Sequence, residues 1–129
     1  MKKKVLLLLL CLIIPIISGC TTNKMYYFGD YSETLYAYEK NQNDESLINH
    51  LQELDRVIQE SQEKNLRVPP GIYAEFGYLK LKMNKSKEAV EYFNAESQLY
   101  PEAKHLMDRL INKVETQGNS ELNSGAKND

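Results

Sequence analysis

The side chains of this 129-residue chain that could do chemistry are two cysteines, two histidines and scattered carboxylates. His50 and His105 each stand alone on a separate predicted helix. A zinc site needs three or four Cys, His or carboxylate ligands at short spacing, and no second histidine or cysteine supplies that. Both histidines are therefore expected on surface or half-buried helix positions. Serines and aspartates occur, but without the strand-turn-helix motif that exposes a nucleophile. No glycine-rich loop offers backbone N–H groups to a phosphate. The carboxylates lie along helix faces, not in pairs whose environments would drive their pKa values apart. The expectation is no catalytic residue, no metal and no cofactor.

Cys20 is the exception. It follows a positive Met1-Lys2-Lys3-Lys4 segment, an apolar run from Val5 to Ile17, and the small pair Ser18-Gly19. That order is a secretory signal peptide over residues 1–19. The apolar run is shorter than the roughly 20 residues that span a bilayer, and Pro15 interrupts it. Ile17-Ser18-Gly19-Cys20 resembles a bacterial lipobox. The resemblance implies a diacylglycerol thioether on Cys20, cleavage before it, and acylation of the new amino group, with palmitate as the expected chain. Each buried CH₂ adds about 0.8 kcal/mol of membrane affinity, so several chains anchor stably. Thr21, where aspartate would signal inner-membrane retention, resembles an outer-membrane sorting signal. In a two-membrane bacterium the expected location is the periplasmic face of the outer membrane. Cys11 leaves with the leader, so no disulfide is expected.

Loss of the leader removes three of the sixteen basic residues and none of the eighteen acidic ones, so the formal charge moves from -2 to -5. An acidic chain of this kind has no electrostatic reason to bind nucleic acid. Hydrophobic residues make up 42%, but many sit in the leader, which leaves a modest core for one small domain.

The elements are helices. Residues 68–101 read as a helical hairpin. Pro69-Pro70-Gly71 bars a helix upstream and admits one from near Pro70 or Gly71. Ile72, Tyr73, Phe76, Leu79 and Met83 recur at helical steps. Asn84 or Ser86 can cap a second helix, which buries Ala89, Val90 and Phe93 and ends at Pro101. Gly77 costs about 1 kcal/mol relative to alanine in mid-helix, which makes sense if another backbone approaches closely. Gly77 facing Ala89, with Phe93 and a closing Pro101, follows the plan of a tetratricopeptide repeat. Lys80 and Glu96 depart from it, standing where an aromatic and an alanine are usual. In such repeats the first helix of each pair lines a concave face. Carried over, that gives Ala74, Tyr78, Leu81 and Lys82 as candidate groove residues, with Tyr36 and Glu39 from an earlier pair.

That earlier pair runs from Asp30 or Ser32 to Lys40 and from Glu45 to Lys64, with a capping turn at residues 41–44. Leu47, Ile48, Leu51, Leu54, Val57 and Ile58 form its apolar stripe. Before it, residues 20–29 form a tether and an aromatic segment, whose tyrosines either pack in the core or face a partner. After Pro101, residues 102–115 read as a capping helix with Leu106, Met107, Leu110, Ile111 and Val114 on one side. Asp108-Arg109 is either an exposed pair, worth little, or a place where Arg109 turns back to hold Glu96. Residues 116–129 are polar and are expected to be a disordered tail. The domain proper is thus residues 30–115, all-α, built of antiparallel helical hairpins like tetratricopeptide repeats.

The segments YYFGDYSETLYAY, RVPPGIYAEFGYLKLKMNKSKEAVEYFNAES and YPEAKHLMDRLINK resemble the DUF4810 family of small bacterial lipoproteins. Val68-Pro69-Pro70-Gly71, Gly77-Tyr78-Leu79 and Met107-Asp108-Arg109-Leu110 carry the resemblance most specifically, while Phe28 stands where relatives often have tryptophan. The family brings no catalytic residues. Its genes tend to neighbour those for a lipoprotein resembling the curli secretion channel, which implies an envelope assembly with such a partner. The expected function is a non-enzymatic, lipid-anchored interaction or assembly factor. The alternative is a small-ligand carrier or envelope enzyme.

Overall fold

A computed structural model describes the backbone of residues 24–125 and the side chains of residues 24–116. Cys20, the leader and residues 126–129 lie outside that range. The described residues form five α-helices and no strand. They are α1 (Tyr31–Lys40), α2 (Asp44–Glu63), α3 (Ile72–Lys82), α4 (Ser86–Leu99) and α5 (Lys104–Gly125), with a 3₁₀ turn at Pro101–Ala103 before the last.

Local chemistry explains the boundaries. Asn43 caps α2 by accepting from Ser46 N at 2.8 Å, while the Ser46 hydroxyl accepts from Asn43 N at 3.3 Å, a reciprocal box. Gly71 precedes α3 with φ +90°, a left-handed turn that residues with a Cβ rarely adopt. Two expected caps are not used. Asp30 precedes α1, but its carboxylate pairs with Arg56 at 2.6 Å instead of capping. Neither Asn84 nor Ser86 caps α4. Asn84 takes φ +61° in the tight turn and Lys85 occupies the cap position.

Two apolar clusters hold the helices. The first joins Tyr38, Leu54, Val57, Ile58, Val68, Ile72, Phe76 and Leu79 across α1, α2 and α3. The second joins Ala89 and Phe93 of α4 with Met107 and Val114 of α5. α1 and α3 run parallel. Tyr31 donates to Glu75 at 2.7 Å near their starts and Lys82 donates to Tyr38 at 2.9 Å near their ends, each pair 44 residues apart.

Gly77 is closely approached, as its mid-helix position predicts. An added Cβ would stand 2.8 Å from the Phe93 ring and 3.0 Å from the Ala89 carbonyl. Three residues of the expected apolar stripes, Ile48, Met83 and Leu106, are exposed instead. A stripe wide enough to satisfy the helical period includes edge positions that packing leaves outside. The last helix is longer than its apolar stripe. It continues past Glu115 to Gly125. Once a helix is nucleated by packing at Met107 and Val114, each further residue adds one hydrogen bond without a new nucleation cost.

Candidate functional site

The ridge where α1 and α3 lie side by side carries three of the six candidate groove residues, Tyr78, Lys82 and Glu39. Lys82 leaves the last turn of α3 and its ammonium donates to the Tyr38 hydroxyl at 2.9 Å. The same nitrogen lies 5.4 Å from the Tyr38 ring centroid and 5.6 Å from that of Tyr78, within cation–π range. Accepting from it, the Tyr38 oxygen holds the Lys82 pKa above its ordinary value, and Tyr78 and Glu39 add to the effect. Tyr78 is 52% exposed and Glu39 is exposed. The ridge thus presents a fixed cation between two phenol rings, beside a carboxylate. Such a surface suits an acidic or aromatic group on a partner.

Ala74 and Leu81 do not join it. Both are partly buried and pack against the cluster formed by α4 and α5. Tyr36 is exposed, but its ring contact is Lys40, 5.9 Å away. At about 100° per residue it points roughly 160° away from Tyr38 around α1. The residue missed by sequence reasoning is Tyr38. Its signal would have been the 44-residue offset that pairs Tyr31 with Glu75 and Tyr38 with Lys82, but nothing in the sequence alone sets that register.

His50 is fully buried, not on the surface or half-buried as expected. Its Nδ1 lies 2.9 Å from Thr34 Oγ1 and its Nε2 3.0 Å from Glu75 Oε1, and Tyr38 stacks on its ring with an 8° interplanar angle. Burial pushes the Glu75 carboxyl up, but hydrogen bonds from His50 and Tyr31 outweigh it, so its pKa falls below the usual range. The Tyr31 hydroxyl is pushed the other way by burial and by Glu75. Hydroxyl, imidazole and carboxylate in line is the order of a proton relay. Here the Thr34 hydroxyl is also 3.1 Å from the Tyr31 carbonyl, and the three groups come from three different helices. The arrangement ties α1, α2 and α3 together through a satisfied buried network. Thr34 also borders an open polar cleft of about 420 Å³ between α1 and α2, lined in part by Asp30, Glu33, Asn43 and Asn49.

Glu96 and Lys80, the two departures from the repeat pattern, both have structural partners. Glu96 is buried and accepts from Gly71 N at 2.7 Å and Ala74 N at 3.3 Å, capping α3 from outside. Arg109 does not hold it. Arg109 is exposed, and Asp108 pairs with Lys104 at 2.9 Å. The N-terminus of α3 has no side-chain cap of its own and offers free N–H groups, which a carboxylate satisfies directly. Lys80 lies over the Phe76 ring and pairs with Glu88 at 2.7 Å, a hydrogen bond that pulls the Glu88 pKa down. His105 is exposed. Among the described residues no group of three His, Cys, Asp or Glu could hold a metal ion.

The comparisons with known proteins bear on this set. A family model described as a domain of unknown function, DUF4810, matches residues 25–110. The chain belongs to the DUF4810 family. The match takes in α1 to α4, the ridge, the buried network and the first turns of α5, so every described site residue above lies inside the DUF4810 region. No curated protein matches the chain, and no solved structure does. Among the described residues no helix is long and apolar enough to cross a membrane.

Proposed function

We propose that this DUF4810 protein is a lipid-anchored, non-enzymatic interaction module of the bacterial envelope. In this reading Cys20 carries the lipid, and α1–α2 and α3–α4 are two tetratricopeptide-like hairpins with α5 as their cap. The parallel α1 and α3, the Gly77–Phe93 contact and the constant 44-residue offset support the repeat-like arrangement. The lipobox supports attachment to a membrane, and Thr21 favours the outer one. The expected partner, from the family resemblance, is another envelope lipoprotein, of the kind that resembles the curli secretion channel.

The observation that carries the reading is the ridge. Lys82 is held between Tyr38 and Tyr78 while Tyr78 stays half-exposed, so a cation and an aromatic ring are pre-positioned at little further entropic cost on binding. The buried polar groups His50, Glu53 and Glu96 each bond to a different segment of the chain, and Ser61 donates to the Val57 carbonyl within α2. The ridge is shallow, so affinity is moderate, and co-anchoring in one membrane raises the effective concentration of the partner. Full-length protein with Tyr78→Ala and Lys82→Ala, crosslinked in membranes and recovered by a C-terminal tag, should lose partner capture while keeping its far-UV helix signal. Undiminished capture would remove the ridge from the binding surface.

A further inference from the structure

Residues 24–30 form a strap laid across the outside of α2, and they separate into two kinds. Tyr26 is half-buried beside Tyr100, whose hydroxyl donates to the Val68 carbonyl at 2.6 Å and is pushed up in pKa chiefly by burial. Tyr27 packs on the first cluster, with Lys64 4.6 Å from its ring centroid. Asp30 N donates to Glu53 at 2.7 Å, and the Asp30 carboxylate takes Arg56. Gly29 has φ +49°, and a Cβ there would collide with the Glu53 carboxylate, so the strap lies tight on α2. Met25 and Phe28 are the other kind. They are 69% and 47% exposed, Phe28 between the anchored residues Tyr27 and Asp30 and Met25 just before the anchored pair Tyr26 and Tyr27.

We propose that this strap is the membrane-facing surface of the domain, with Met25 and Phe28 seated in the interface of an anionic phospholipid bilayer. The inference rests on the lipid-anchor reading of Cys20. Four residues lie between Cys20 and Met25, and the five Cα–Cα steps reach about 18 Å when fully extended. The 20-residue α2 alone is about 30 Å long, so the tether is too short to let the domain turn this end away. Lys24, Lys64 beside Tyr27, and Arg67 over the Tyr100 ring mark the same end. The carboxylates of Glu53, which bonds to the strap, and of Asp30, which belongs to it, are paired with Arg56, and Glu60 is paired with Lys64. Apolar and aromatic side chains flanked by cations, on an otherwise acidic chain, match the chemistry of a lipid headgroup boundary.

The chain contains no tryptophan, so Phe28→Trp places a single indole at the site. The companion is Met83→Trp, at the opposite end of α3. Each full-length lipoprotein is mixed with vesicles of phosphatidylethanolamine and phosphatidylglycerol, three to one, with brominated acyl chains. The expected result is emission shifted to the blue and quenched at least about twofold for Phe28→Trp, with Met83→Trp unaffected. Replacing phosphatidylglycerol by phosphatidylcholine should weaken the effect. Equal quenching of the two indoles, with both proteins co-sedimenting, overturns the proposal and leaves the anchor intact. Palmitate labelling at Cys20 is read separately. No label with Phe28→Trp still quenched supports the surface and removes the anchor. No label and no quenching overturns both.

Discussion

At the scale of single residues, the polar side chains inside this domain act as fasteners. Glu96 is the clearest case. Glu96→Ala leaves Gly71 N and Ala74 N without their acceptor, at a cost of about 2–3 kcal/mol, whereas Arg109→Ala should stay within about 0.5 kcal/mol. Urea unfolding of the two variants checks both. Glu75 sets the acid side of stability. Its folded pKa lies below its ordinary value, so its contribution is complete above the ordinary carboxylate range and is lost as pH falls through the folded value. Urea midpoints should therefore drop on acidification below about pH 4.5. Glu75→Gln should be less stable at neutral pH and show a shallower acid limb. An unchanged acid limb would mean that the His50–Glu75–Tyr31 network adds nothing to folding.

At the scale of elements, the sequence is a good guide where periodicity and small residues act locally. The all-helical class, the helix positions and the close approach at Gly77 follow from the spacing of Ile72, Phe76 and Leu79 and from a glycine in mid-helix. Gly77→Ala tests that packing. The gain of about 1 kcal/mol in helix propensity is opposed by a ring 2.8 Å away, and overpacking of this kind costs about 1–3 kcal/mol. A net loss of stability is expected in thermal unfolding, and a stabilised variant would mean that Phe93 moves aside freely. What the sequence does not show depends on register between helices. Tyr38 meets Lys82, and His50 meets both Thr34 and Glu75, only because α1 and α3 are parallel with a fixed offset. Glu96 shows the same limit. As an acid at an alanine position it signalled that a partner was needed, but backbone N–H groups 25 and 22 residues away carry no side-chain signature. The extension of α5 to Gly125 was hidden by polar composition, because its hydrogen bonds propagate from packing further upstream.

At the scale of the whole molecule, the proposed function divides the work between two surfaces. The strap at residues 24–30 sits at the end nearest the expected lipid, and the Tyr78–Lys82 ridge lies along α3 and α1, where a second envelope protein could reach it. Holding the strap to the bilayer would fix the orientation in which the ridge is offered, so the proposed anchor would contribute direction as well as local concentration. The central claim is that this ridge is a contact surface. It is tested most directly by placing a photo-crosslinking phenylalanine at position 78 of the full-length lipoprotein and irradiating intact cells. Position 36, on the opposite side of α1, serves as the comparison. The account predicts a discrete adduct with one envelope lipoprotein from position 78 that is absent from position 36 and is lost when Lys82→Ala is added. No adduct at 78, or the same adduct from both positions, would contradict it.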